Sequence, residues 1–269
     1  MNNCNILKID HHYGAGFFSH CSVRLYKIIE FFNQNGELPE SIDGSGLFIK
    51  YKNTDEDVSN FFFKKENITG FFEKCKFDFD SQFLEYNKIE FNSINKFVNA
   101  YFSPTEMVDS IILDLQNKYR INFNNTCSVF YRGNDKCTET NLAKYEDFFN
   151  KVDDILVKFP DIKFLVQTDE VEFLLDFQKR YKNSFFFSEI PLINKNSNMS
   201  VHDSLPIEQR KLSAAYFLAA TIIVSRTKYL ITHSGNCGLW AALYRGNSDN
   251  IHQYLNNHSG FIERNGWLS

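Results

Sequence analysis

Arg132, Asn134, Asp135, Lys136 and Glu139 crowd into residues 132–139, directly after the apolar run "CSVFY" (127–131). An arginine offers a planar fork of donors that matches phosphate oxygens. Gly133 beside it lets the backbone come close to a ligand. Lys136 adds charge neutralisation, or simply caps the loop in solvent. The combination suits a nucleotide diphosphate. Gly-Asn-Asp is also ordinary turn chemistry, so a plain surface turn is the competing reading.

Two further apolar runs end in the same manner. "IKFLVQT" (162–168) delivers Thr168, Asp169 and Glu170. "KYLITH" (228–233) delivers His233, Ser234, Gly235 and Asn236 just before a helical segment. Taken singly, Thr168-Asp169, Ser234 and Asn236 read as helix caps. Taken together they become a site, because an open parallel sheet binds ligands outside the carboxyl ends of its strands. A Ser-Gly-Asn turn that opens a helix also presents free N–H groups and a positive dipole end to an anion. Nearer the amino terminus, Gly14 and Gly16 in "YGAGFFSH" would bring a first domain's backbone against a ligand held by the second. A lone Gly-x-Gly is otherwise only a tight strand-to-helix turn.

The elements that must position these residues follow from hydrophobic period. Strands are expected over 6–10, 47–51, 127–131, 162–168, 184–190 and 228–233. Helices are expected over 22–32, 104–119, 141–159, 171–181, 206–226 and 237–245. Residues 34–46 read as turns, and 53–100 are Phe-rich without a clean period. The 206–226 helix is apolar nearly all round and should be buried. Strand alternating with helix argues for an α/β chain with a doubly wound parallel sheet.

Composition narrows the function classes. The chain has 269 residues, enough for one large or two small domains. A net charge of −4 argues against a nucleic-acid binder, which would carry a basic face. The six cysteines form no CxxC pair, so structural zinc is not expected. The longest apolar run, 212–224, falls short of the ~20 residues that span a bilayer. With no basic-apolar leader at the start, the expected location is cytoplasmic.

"FYRGNDKCTE" resembles the His-Val-Arg-Arg-Thr-Asp-Lys segment, with its downstream glutamate, of the GDP-fucose-dependent core α1,6-fucosyltransferases and rhizobial nodulation fucosyltransferases. "LVQTDEVEFLLDF" is similar to their Ala-Thr-Asp-Asp segment. "VSRTKYLITHSGNCGLWAAL" resembles their closing strand–Ser-Ser–helix segment, and "YGAGFFSHCSVRLYKII" their Gly-Cys-Gly-Tyr-Gly loop. The order of the four also agrees. The resemblance implies a glycosyltransferase B-type fold, two Rossmann-like domains facing a cleft, and metal-free transfer with inversion at the sugar. Domain limits would be 1–120 on the acceptor side, 121–245 for the nucleotide sugar, and a tail over 246–269. The chain departs from the family where its second arginine is Gly133, where the loop to Glu139 is one residue shorter, and where an expected helical aspartate falls near Ala220.

The expected activity is fucosyl transfer from GDP-fucose to a glycan hydroxyl, with no cofactor, no nucleic acid and no membrane span. Arg132 would stabilise the leaving diphosphate. Glu139 is the base that the resemblance implies, with Asp135 and Asp169 as rivals. Donor contacts would come from Gly14, Gly16, Arg132, Lys136, Asp169, Ser234, Gly235 and Asn236. Another nucleotide sugar, or a non-catalytic binding module on the same fold, are the alternatives. A hydrolase built on His233 and Cys237 is a third.

Overall fold

A computed structural model describes residues 5–11, 13–67, 70–195, 197, 199–256 and 265–268; the side chains of Asp135 and Thr138 lie outside that description. In chain order the elements are β1 (Ile6–Lys8), α1 (Phe17–Asn35), β2 (Ser41–Asp43), α2 (Ser59–Phe62), β3 (Phe63–Lys64), α3 (Phe91–Tyr101), β4 (Ser103–Pro104) and α4 (Glu106–Lys118). The second half follows with β5 (Thr126–Tyr131), α5 (Tyr145–Lys158), β6 (Lys163–Thr168), α6 (Val171–Arg180), β7 (Ser184–Phe185), α7 (Ile207–Arg226), β8 (Tyr229–His233), α8 (Asn236–Arg245), β9 (Ile251–Leu255) and β10 (Gly266–Trp267).

The principal sheet runs β10-β9-β8-β5-β6-β7. All its pairings are parallel except β9 with β10. The chain enters at the centre on β5, moves outward through β6 and β7, then returns past β5 to lay down β8 and β9. The order reverses between β5 and β8, and there the crevice for a ligand opens. Alternating residues of β5 serve the two faces. Cys127, Val129 and Tyr131 pack with α5 and α6 residues such as Phe148, Val152 and Phe173. Phe130 faces the other way, into a core shared with α7, α8 and the amino-terminal half. Apolar packing therefore runs without a break from residues 9–121 into the sheet.

The amino-terminal half has less sheet than the sequence suggested. Its described strands form two two-stranded ladders, β1 parallel to β2 and β3 antiparallel to β4. "LFIKY" (47–51) is a 3-10 turn and not a strand. Leu47 and Phe48 drop into the core, and Phe48 takes a left-handed φ of 56° that no ladder accepts. Gly46 explains the close approach: a Cβ there would lie 2.7 Å from the Ile9 carbonyl oxygen. The partner of β1 comes instead from 41–43, inside the segment read as turns.

Helix α1 begins at Phe17 rather than at 22, so the glycine loop is short and its last residues are helical. The strand expected over 184–190 pairs only at Ser184–Phe185 before Phe187 turns into the core. α3 supplies the period that 53–100 lacked overall, burying Phe91, Ile94, Phe97, Val98 and Tyr101 on one face. Beyond residue 245, where a tail was expected, β9 and β10 extend the principal sheet. Among the described residues no helix is long and apolar enough to cross a membrane.

Candidate active site

The three strand ends that carry polar sequence meet at the switch point. They line a cleft of about 780 Å³, its open mouth included, with α1 forming the opposite wall. Arg132, Lys136 and Glu139 come from the β5 loop, Thr168 and Asp169 from β6, and Asn236 and Cys237 from the start of α8.

Asp169 organises the β5 loop. Its Oδ2 accepts from Arg132 Nε and its Oδ1 from the Gly133 N–H, both at 2.9 Å. Its own carbonyl accepts from Asn134 Nδ2 at 3.2 Å. Asp169 is buried, so its carboxylate fixes the guanidinium plane before any ligand arrives. Arg132 NH1 also contacts Cys237 Sγ at 3.0 Å.

His233 ties β8 to the same loop. Its Nε2 accepts the Arg132 backbone N–H at 2.9 Å, and its Nδ1 lies 2.8 Å from the Ser234 carbonyl, to which it donates. Burial pushes its pKa down to about 4, which keeps the ring neutral in that tautomer. With both nitrogens engaged and Arg132 on the Cys237 thiol, His233 and Cys237 do not form a nucleophile–base pair. The hydrolase alternative has no geometry to support it.

Gly133 is glycine because Glu170 stands behind it. A Cβ at 133 would fall 2.1 Å from Glu170 Oε1. Glu170 is buried, accepts a hydrogen bond from the Tyr145 hydroxyl, and has its pKa raised by burial. The volume where the family resemblance would place a second arginine is thus filled by a carboxyl group from the neighbouring strand end.

Two helices aim their amino termini into the cleft. The first turn of α1 lines it with Gly16, Phe17, Phe18 and Ser19, and the first turn of α8 with Asn236 and Cys237. First-turn N–H groups have no intrahelical acceptor, and the two dipoles add positive potential where Arg132 and Lys136 already stand. Lys136 Nζ pairs with a Glu139 carboxylate oxygen.

Of the other expected contacts, Gly16 and Asn236 line the cleft, while Gly14, Ser234 and Gly235 are not among its lining residues. The Asn236 amide donates to Ser19 Oγ at 3.0 Å and Gln82 Oε1 at 2.9 Å, and accepts from Ser22 Oγ at 2.6 Å. Its side chain therefore ties α8 to the amino-terminal half. Ser234 is buried, with its hydroxyl accepting from Gln253 Nε2 at 3.1 Å. Gly235 has φ 129° and gives its N–H to the Gln82 carbonyl at 2.9 Å. Gly16 lines the cleft, whereas Gly14 is exposed outside it, beside Lys50. Asp135 opens a 3-10 turn, and its side chain lies outside the described residues. Ala220 is buried within α7, away from the cleft.

Sequence reasoning missed a second part of the wall opposite the strand ends, beside α1. Tyr51 and His202 line it, with the tyrosine hydroxyl 3.3 Å from His202 Nδ1. Burial lowers the His202 pKa to about 4. Next to them Lys50 Nζ bonds Asp203 Oδ2 at 2.8 Å. These pairs join a 3-10 turn of the first half to the loop before α7, across a sequence separation that no local pattern reveals. Among the described residues no three His, Cys, Asp or Glu side chains gather as a metal site.

No family model matches this sequence, and no curated protein matches it in sequence. Solved structures do match in fold. A NodZ α1,6-fucosyltransferase structure soaked with GDP-fucose superposes with a TM-score of 0.55 at 12% identity, covering 98% of each chain. A NodZ fucosyltransferase from Bradyrhizobium gives a TM-score of 0.55 at 11% identity, covering 92% of this chain and 94% of that one. The NodZ enzyme co-crystallised with GDP gives 0.54 at 12% identity, covering 93% of each. Likeness at this identity establishes a shared fold, the α/β glycosyltransferase B type, in which the second half carries the doubly wound sheet.

Proposed function

We propose that the protein is an inverting glycosyltransferase that moves fucose from GDP-fucose to a glycan hydroxyl. The observation that carries this reading is the convergence of Arg132, Lys136 and two helix amino termini on one cleft at the switch point of the sheet. Two cationic side chains and two helix ends there supply the kind of donors that a nucleoside diphosphate's oxygens accept from. Its positive charge comes from side chains and helix ends, which supports donor binding without a divalent ion. The fold shared with structures soaked with GDP-fucose or co-crystallised with GDP supports the choice of donor.

In this reaction the acceptor oxygen attacks the anomeric carbon from the face opposite the diphosphate. The new C–O bond forms as the sugar–phosphate bond breaks, and the bonding pair leaves with the diphosphate. Arg132, held by Asp169, and Lys136 receive that charge. Glu139 takes the hydroxyl proton; it lines the cleft, while Asp169 is committed to Arg132 and Gly133.

A different nucleotide sugar is the second reading. It is favoured by Gly133 with Glu170 behind it and by buried Ala220, which remove two contacts the resemblance implies. Calorimetric titration with GDP, UDP and CDP decides between them: GDP tightest supports GDP-fucose, and UDP or CDP tightest supports the second reading.

A further inference from the structure

We propose that Glu139 is the internal counter-ion of the phosphate site, and that the donor's diphosphate displaces it from Lys136, so that the carboxylate leaves that ammonium only once donor is bound. The inference rests on reading the cleft as a nucleotide-sugar site.

The geometry around Lys136 carries it. The Lys136 side chain is 11% exposed, against 45% for Glu139. Its stem runs past Gly235, where a Cβ would lie 3.6 Å from Lys136 Cε and 3.7 Å from Nζ. Gly235 caps α8, so the ammonium sits beside the positive end of that helix. A cation there is repelled by the dipole. Arg132 lines the same cleft and adds to the repulsion. Among the described acidic side chains of the cleft, Asp169 already serves Arg132 and the Gly133 amide. Glu139 supplies the balance at Lys136.

A diphosphate offers more negative charge than one carboxylate, and several acceptor oxygens. It competes for the same ammonium, the same helix end and Arg132 at once. Glu139 closes a 3-10 turn at the cleft's edge and sits half in solvent, so its side chain can turn aside without disturbing the core. The exchange trades one ion pair for another, with no covalent change. Its consequence is order: donor first, then acceptor, with the carboxylate delivered to the acceptor side by the ligand it yields to.

The test is a double-mutant cycle on GDP affinity, read by calorimetry, with inorganic pyrophosphate as a second probe. Glu139→Gln should bind GDP about three- to fivefold more tightly than wild type, the scale of one partly exposed ion pair. In a Lys136→Met background the same substitution should leave GDP affinity unchanged, which a merely structural role of Glu139 would not produce. Equal affinity of Glu139→Gln and wild type overturns the displacement and leaves the donor-site reading intact. Failure of both GDP and pyrophosphate to bind either protein overturns the inference together with the reading of the cleft as a nucleotide-sugar site.

Discussion

One carboxylate, Asp169, accepts from the Arg132 Nε–H and from the next residue's backbone N–H at 2.9 Å each. The arginine that would meet the leaving group is thus aimed by a residue from the adjacent strand. Asp169→Asn keeps the size but loses the charge and one acceptor. GDP affinity should fall about tenfold or more, and unfolding free energy should drop by roughly 1–3 kcal/mol, because a partly buried cation loses its charged partner. Calorimetry and urea denaturation read the two effects separately.

Arg132→Ala should lose most donor binding, and Arg132→Lys should recover only part of it. A lysine supplies charge without the bidentate fork. The alanine variant should bind GDP more weakly by roughly 1.5–3 kcal/mol while remaining folded. Unchanged affinity in that variant would remove Arg132 from the donor site.

Gly133→Ala places a methyl group into the Glu170 carboxyl. It should destabilise the fold by roughly 1–3 kcal/mol, as overpacking does. Adding Glu170→Ala should recover part of that loss, a coupling readable in denaturation midpoints. Additive losses would show that the two residues do not share the space.

Acid should weaken the protein through its buried histidines. Burial lowers His233 and His202 to about 4 and His20 to about 3, against 6.5 as free groups. Between pH 6.5 and 4 the unfolded chain binds more protons than the folded one. Stability is therefore full above pH 6.5 and declines as pH falls through that window, by up to ~1.4 kcal/mol per pH unit for each histidine. His233→Asn should flatten the slope by one proton's worth in urea melts taken across this range. An unaltered slope would mean that His233 is not held neutral.

The second half was legible because its geometry is local. Apolar runs at 127–131, 162–168 and 228–233 stop where polar residues begin, and a parallel sheet must bring such ends together. The roles at those ends were less legible. Ser234 and Asn236 look like ligand contacts in a turn, yet Gln253, Ser19, Ser22 and Gln82 claim their side chains from far along the chain. The first half misled for another reason. "LFIKY" has strand composition, but Phe48 takes a left-handed φ of 56° that breaks any ladder there, a turn that apolar composition does not announce. The Tyr51–His202 pair spans residues with no shared period or motif, so only folding brings it into view.

The most direct measurement is GDP titrated into the wild-type protein with chelator present, beside Glu139→Gln assayed for fucose transfer. Saturable GDP binding without divalent metal is expected, with turnover of the variant reduced ~10²–10⁴-fold while its GDP binding persists. GDP binding that appears only with added Mn or Mg, or turnover in Glu139→Gln equal to wild type, would contradict the proposed mechanism.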